Sequence, residues 1–284
     1  MPPMHTLRIV ALTALAMVAF AANSLLCRLA LASAHIDPAS FNAIRLISGA
    51  VVLCLIVALR KEQPAGKGNW ISALALFIYA AGFSFAYIGL TASTGALLLF
   101  GAVQVTMIAV GLHRGERFRM AQSVGFLGAI VGLVLLLLPG FSAPPLSSSL
   151  MMLAAGMAWG IYSLRAKGAG DPTRVTAGNF LRAAPIAAFT FLLMMGQAHL
   201  DRTGILCALA SGALASGIGY VVWYAVLRYL PATTAAALQL SVPIIASLGG
   251  MVILSERLSP TLLMASVLTL GGMALVIFGR SARR

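Results

Sequence analysis

The sequence predicts an all-α membrane protein with ten transmembrane helices in two inverted five-helix repeats and both termini cytoplasmic. Three observations lead to this expectation. First, 61% of the 284 residues are hydrophobic and only 9% are charged, with mean hydropathy +0.99. A water-soluble domain needs far more polar surface than that. Second, residues 94–132 recur at an offset of 140: Thr94, Ala96, Leu98, Glu116, Arg117 and Gly132 fall on Thr234, Ala236, Leu238, Glu256, Arg257 and Gly272 without a gap. Third, the net charge of +13 is unevenly placed. Of 19 basic residues, 14 lie on one alternate set of termini and loops, two (Arg202 and Arg257) on the other, and three (Arg28, Arg45 and Arg182) within spans. That asymmetry follows the positive-inside rule, so the basic face is cytoplasmic and the charge is not read as a nucleic-acid surface.

Apolar runs of about 20 residues can cross a hydrocarbon core. They follow one another at roughly 6–32, 38–59, 70–91, 93–112, 120–138, 147–167, 174–197, 204–227, 231–254 and 260–279. Asp37-Pro38, Asp171-Pro172 and Ser259-Pro260 place proline at a helix start, where its missing N–H costs little. Residues 1–140 form the first repeat, 147–284 the second, and the Pro- and Gly-rich stretch 139–146 links them. Five spans per repeat is odd, so the second repeat enters the membrane with opposite polarity. Further matches join Asn42 and Arg45 to Asn179 and Arg182, and Phe20, Asn23 and Ser24 to Trp159, Tyr162 and Ser163. The N-terminus imitates a signal peptide, with Arg8, an apolar stretch and Ala32-Ser33-Ala34. The stretch is too long and is interrupted by Arg28, so it is read as a first span.

Helical periodicity sorts the polar and aromatic residues of the spans into faces. Phe20, Asn23 and Ser24 share one face of the first span, and Tyr79, Phe83 and Tyr87 one of the third. Trp159, Tyr162 and Ser163 line up on the sixth, and Tyr220, Trp223 and Tyr224 on the eighth. Around a common cavity these faces would give flat apolar walls with a few hydrogen-bonding groups, which suits an amphipathic organic molecule. The competing reading is that the aromatics fill gaps between helices. Trp70 is read as an interfacial belt residue. Gln104 and Gln239 lie deep in the fourth and ninth spans, where a buried amide either bonds across helices or faces a wet cavity. Pro243, one turn after Gln239, frees a backbone carbonyl at that point. Arg45 and Arg182 sit two turns inside their spans at repeat-related positions. They are candidate gating or structural charges, near enough to a span end to snorkel or bind helix-terminal carbonyls. Arg28 is expected at the membrane interface. Glu116 and Glu256 precede helices, where capping or loop closure explains them.

The absences narrow the chemistry. All six acidic residues and all four histidines lie in loops or at helix ends, and the three cysteines form neither a disulfide framework nor a metal knuckle. No metal or cofactor is expected. The chain has no H-E-x-x-H, G-x-S-x-G or P-loop motif, so neither an enzyme nor an ATP-driven pump is expected.

The small-rich Thr-Ala-Ser-Thr-Gly-Ala at 91–96, the Gly-Glu-Arg-Phe loop at 115–118 and the glycine-rich span after it resemble the drug/metabolite transporter superfamily. The second copy repeats the pattern with Pro231-Ala232-Thr233-Thr234-Ala235, Ser255-Glu256-Arg257-Leu258-Ser259-Pro260 and Gly271-Gly272. Length and the five-plus-five layout are similar to the ten-helix EamA-type exporters over the whole chain. The first half departs from the pattern at Phe20-Ala21, where the second has Trp159-Gly160, and at Val103, opposite Pro243. The resemblance implies a bacterial inner-membrane exporter of small metabolites working by alternating access, with neutral and aromatic amino acids fitting the walls best. The related four-helix multidrug exporters carry a first-span glutamate; here Phe20 and Asn23 occupy that region, which favours facilitated export over proton antiport. A broader drug, metabolite or lipid-carrier transporter, proton-coupled, and a non-transporting membrane scaffold remain alternatives. The implied partners are the lipid bilayer and a small-molecule substrate, with the protein monomeric or homodimeric.

Overall fold

The structure, a computed structural model, describes residues 3–60, 66–115, 117–138, 143–166, 169–230 and 232–281. Among them every regular element is helical, apart from one isolated β-bridge between Ile36 and Leu200. The first half holds α1 (Pro3–Ala32), α2 (Pro38–Ala58), α3 (Trp70–Ala86), α4 (Ala92–His113) and α5 (Met120–Leu137). The second holds α6 (Leu146–Ala166), α7 (Pro172–Leu193), a 3₁₀ turn (Met195–Gln197), α8 (Arg202–Leu209), a π-helical segment (Ala210–Ile218), α9 (Gly219–Leu227), α10 (Ala232–Gln239), α11 (Ser241–Leu254) and α12 (Pro260–Ser281). Glu116 and residues 139–142 of the expected linker lie outside the described residues.

The helix starts are written in the sequence. Asp37, Asn69, Thr91, Asp171 and Asp201 each accept a backbone N–H from the first turn of the helix they precede. Such caps satisfy donors that would otherwise be orphaned. The third segment ends at Ala86, earlier than expected, because the turn through Gly89 must lead into the Thr91 cap of α4. That turn lies so close to α6 that a Cβ on Gly89 would come within 2.6 Å of Ser148 Oγ.

The chain departs from regular α-helix at two places, one unannounced by the sequence and one where Pro243 is expected to free a carbonyl. The stretch Arg202–Leu227 is one rod, but its middle is π-helical. Its small residues, Ala210-Ser211-Gly212-Ala213, allow it to lie tightly on α2, where a Cβ on Gly212 would collide with the Arg45 carbonyl and Ser48 Oγ. The break between α10 and α11 falls at Leu240, three residues before Pro243. Proline has no N–H to bond the Gln239 carbonyl, so the ladder is interrupted there. Leu240 N donates to Ala237 O instead (3.1 Å), and Ser241 Oγ donates to Leu238 O (2.6 Å).

Eight described helices are long and apolar enough to cross a membrane. The two shortfalls are α3, with 17 residues, and α6, which has the length but carries four serines and Arg165. These two pack along each other and also contact α7 and α4, respectively. A helix screened by neighbours needs less apolar surface than one facing lipid.

Packing relates the halves by exchange. α2 packs on α7, α4 on α11 and α5 on α12, so each helix meets its own repeat-mate. α3 packs on α6 while α1 packs on the α8–π–α9 rod, and α4 meets α6 while α1 meets α11. Small residues make the closest seam. A Cβ on Gly125 of α5 would come within 2.5 Å of the Gly272 carbonyl oxygen of α12, and Gly132 is pressed on Thr269 in the same way. The absence of side chains there lets two backbones approach.

Polar ties also join the halves. At one end Arg28 Nε donates to Glu256 Oε1 (3.1 Å) and Nη1 donates to the Tyr87 and Ile88 carbonyls (3.0 and 3.1 Å). Glu256 accepts Ala92 N through both oxygens (3.1 and 2.9 Å), so it caps α4 of the opposite repeat. Arg28, expected at the membrane interface, is a cross-link between the repeats near the end of its span. It is drawn inward because three carbonyl and carboxylate oxygens converge on it in a poorly solvated corner. Beside this, His35 Nδ1 lies 2.6 Å from Asp201 Oδ2, and His199 N donates to Asp37 Oδ2. The Gly204 N–H and the His35 ring hold the Asp201 carboxyl below the usual carboxylate range. At the other end Arg60 pairs with Asp171 (3.2 Å), and Asn69 N donates to Asn179 Oδ1 (2.9 Å).

Two stability outcomes are expected in thermal unfolding of the detergent-purified protein. Gly272→Val forces α5 and α12 apart and lowers stability by about 1–3 kcal/mol. Arg28→Ala strands the Glu256 carboxylate, which is only 8% exposed, and is expected to destabilise more than Glu256→Gln, by about 3–5 against about 1–3 kcal/mol.

Candidate functional site

A small cavity lies between the halves where α1, α3, α4, α6, the π segment, α9 and α10 meet. Its volume is about 20 Å³, room for one water molecule. Eight residues expected at a site line it: Phe20, Asn23 and Ser24 from α1, Tyr79 and Phe83 from α3, Trp159 from α6, Tyr220 from α9 and Gln239 from α10.

The aromatic members form a continuous arc. Phe20 meets Tyr220 edge-on at 5.8 Å, Tyr220 lies 5.3 Å from Trp159, Trp159 lies 4.7 Å from Tyr79, and Tyr79 lies 5.6 Å from Phe83. Tilted and edge-to-face contacts at these separations are the favoured geometries of aromatic pairs. The arc draws on four helices from both repeats, so sliding one half against the other must change it.

Polar groups interrupt the arc on one side. Ser211 Oγ of the π segment donates to Asn23 Oδ1, and Asn23 Nδ2 donates to Tyr79 Oη (3.4 Å). Tyr79 Oη also accepts from Arg45 Nη2 (2.9 Å). The Arg45 guanidinium lies over the Tyr79 and Phe83 rings, 5.2 and 4.9 Å from their centroids. Its residue is 1% exposed. Arg45 thus does not snorkel: it runs inward behind the aromatic wall. Arg182, its repeat-mate, is half-buried and donates from Nη1 to the Lys67 and Gly178 carbonyls (2.8 and 2.7 Å), near Trp70. The two arginines, candidate gating or structural charges at repeat-related positions, thus stand in different environments, because the loop preceding α3 reaches one and not the other. Trp70 itself is 62% exposed.

The other expected site residues stand outside the cavity wall. Tyr87 lies beneath the first turn of α4 and donates to the Ala92 carbonyl (3.4 Å). Tyr162 stacks on Trp159 (5.2 Å) and its hydroxyl accepts from Asn179 Nδ2 (3.4 Å). Ser163 Oγ is taken up by the Trp159 carbonyl one turn back (2.8 Å). Trp223 packs edge-on against Phe20 from behind (5.9 Å), and Tyr224 packs half-buried against the core. Gln104 is buried within α4. A helical stripe is wider than the part of it that one small cavity touches, and periodicity cannot tell wall from backing.

Three lining residues were missed: Leu99 and Phe100 of α4, and Ala215 of the π segment. For Leu99 a signal exists, since the 140-residue offset makes it the repeat-mate of Gln239. Phe100 and Ala215 carry no such mark; the π turn brings Ala215 to the wall. Among the described residues, no carboxylate or histidine lines the cavity and no group of acidic, histidine or cysteine side chains could hold a metal ion.

Comparison with known proteins fits this architecture. The sequence profile of the EamA-like transporter family matches twice, over residues 7–138 and 146–278. An uncharacterized protein of Pseudomonas aeruginosa is 54% identical over 287 residues, covering 100% of this chain and 99% of its own. A Salmonella typhimurium protein named "Probable amino-acid metabolite efflux pump" is 26% identical over 211 residues, covering 69% of this chain and 71% of its own. A crystal structure with 23% sequence identity superposes with TM-score 0.65, covering 95% of this chain and 99% of the other, and so shares its fold. Two profile matches that tile nearly the whole chain, on a fold whose halves pack by exchange, mean that this multi-pass membrane protein is a transporter of the EamA-like family and not an enzyme.

Proposed function

We propose that the protein exports neutral amino acids, aromatic ones included, across the bacterial inner membrane by alternating access and facilitated diffusion. In this reading all ten helical rods cross the membrane, the second repeat is inverted, and both termini are cytoplasmic. The observation that carries it is the cavity between the halves, whose wall combines the aromatic arc with the polar groups of Asn23, Ser24, Tyr79 and Gln239. Flat apolar walls suit a hydrophobic side chain, and convergent amide and hydroxyl groups suit a zwitterionic head. The Salmonella relative's name points to the same class of cargo.

The hydrogen-bonded loop contacts support the topology. Residues 35–37 bond to 199–201, and 87–92 join 28 and 256, all on one expected face. Residues 60–72 bond to 165–182 on the other. Each tie thus joins segments that the charge asymmetry assigns to the same side. The cavity is smaller than an amino acid, which fits an occluded state: loading requires the halves to part at one mouth, and release requires parting at the other. Among the described residues no carboxylate stands in its wall, and a proton antiporter uses such a group to exchange proton for substrate.

Counterflow of labelled phenylalanine, leucine and threonine into proteoliposomes tests the reading. Trp159→Ala, which removes the centre of the aromatic arc, is expected to lower phenylalanine flux by roughly tenfold, while Tyr224→Ala behind the wall changes it little. Uphill transport driven by a pH gradient at clamped membrane potential would show that facilitated diffusion is the wrong mechanism.

A further inference from the structure

Arg45 is the outlier among the buried groups. It is a full positive charge, 1% exposed, on the buried face of α2. Its Nε and Nη1 have no hydrogen-bond partner, and neither has Asn42 Oδ1, one turn earlier on α2. None of the ion pairs among the described residues involves it. A buried charge without a counter-ion is among the most costly arrangements a protein can hold, and one inside a membrane protein points to function.

The second repeat supplies a control within the same molecule. Asn179 and Arg182 occupy the positions of Asn42 and Arg45, and there the chain satisfies both: Asn69 N donates to Asn179 Oδ1, and the Lys67 and Gly178 carbonyls take Arg182 Nη1. In the first repeat the π segment presses Gly212 onto the Arg45 backbone, and no carbonyl reaches the guanidinium. The same scaffold position is thus closed in one half and left open in the other, beside the cavity.

We propose that Arg45 is the carboxylate-binding residue of the transport site, and that Tyr79 and Phe83 cover it while the cavity is occluded. This rests on the export reading above and adds the group that selects the substrate's acid end. The Tyr79 hydroxyl bonds Nη2, the nitrogen common to both bidentate edges of a guanidinium. When the cavity opens and Tyr79 swings away, the Nε and Nη2 pair faces the substrate, and a monocarboxylate supplies the missing counter-charge. Asn23, which also bonds Tyr79 Oη, links this movement to α1 and, through Ser211, to the π segment.

The test compares acids with their amides on the full-length protein in detergent, reading intrinsic tryptophan fluorescence. The pairs are phenylalanine with phenylalaninamide and 3-phenylpropionate with 3-phenylpropionamide. Wild type is expected to prefer each acid by on the order of tenfold or more, Arg45→Lys to keep part of that preference, and Arg45→Gln to lose it. A merely structural arginine would change stability without changing the acid-to-amide ratio. Equal binding of acid and amide by wild type, a result that needs no variant, overturns the proposal, as does a preference that survives Arg45→Gln. Phenylalanine counterflow in proteoliposomes separates the two readings. If flux is absent while the Arg45-dependent preference for 3-phenylpropionate persists, amino-acid export is wrong and the carboxylate site stands. If flux is present with no preference for acids, export stands and the site falls. If neither compound of either pair binds, the proposal is overturned.

Discussion

Inside a hydrocarbon slab a polar group has only protein to bond to, and this constraint organises the whole molecule. Hydroxyls in mid-helix return to their own backbone: Thr13 to Ile9, Ser84 to Ala80, Thr106 to Ala102, Thr190 to Ile186. Helix starts are capped by Asp, Asn or Thr from the preceding turn. Where Pro243 opens the backbone ladder, Ser241 and a tightened turn close it again. The hydroxyls of Ser40, Ser93, Ser216 and Thr269 and the Asn42 Oδ1 are buried without a partner, but among such groups in the described residues only Arg45 carries a full charge.

The repeat explains why such exceptions can exist. Two copies of one scaffold pack by exchange, so each helix has a counterpart that shows what its position does by default. α5 and α12 meet through glycines in both copies and form a seam with few polar groups, Thr269 against Gly132 and Gln122 donating to the Val276 carbonyl. Near the cavity the copies diverge. Val103 answers Pro243, Tyr79 answers Gly219, and regular α3 answers a rod with a π segment at its centre. A π turn carries an extra residue per turn and shifts the side chains that follow it, a distortion frequent at functional sites. Here it brings Ala215 to the cavity wall and Ser211 to Asn23.

The latch at Glu256 illustrates how a local rule acquires a long-range meaning. A carboxylate before a helix is readable as a cap. Glu256 does cap a helix, but the helix is α4 of the other repeat, and Arg28 completes the contact from α1. Three elements distant in sequence are thereby joined at one end of the helices. The rule supplied the chemistry; only folding supplied the address.

The sequence by itself determined the membrane character, the helical class, most helix boundaries, the repeat and the family, because these follow from composition, period and local capping, which do not need the third dimension. It also marked the four faces from which the cavity's aromatic arc is built. It did not separate Tyr79, Trp159 and Tyr220 in the wall from Tyr162, Trp223 and Tyr224 behind it, since a face spans more of a helix than a cavity touches. Nor did it distinguish Arg45 from Arg182, which are equivalent in register. Tertiary structure decided that, by bringing the loop before α3 to one arginine and an apolar aromatic wall to the other.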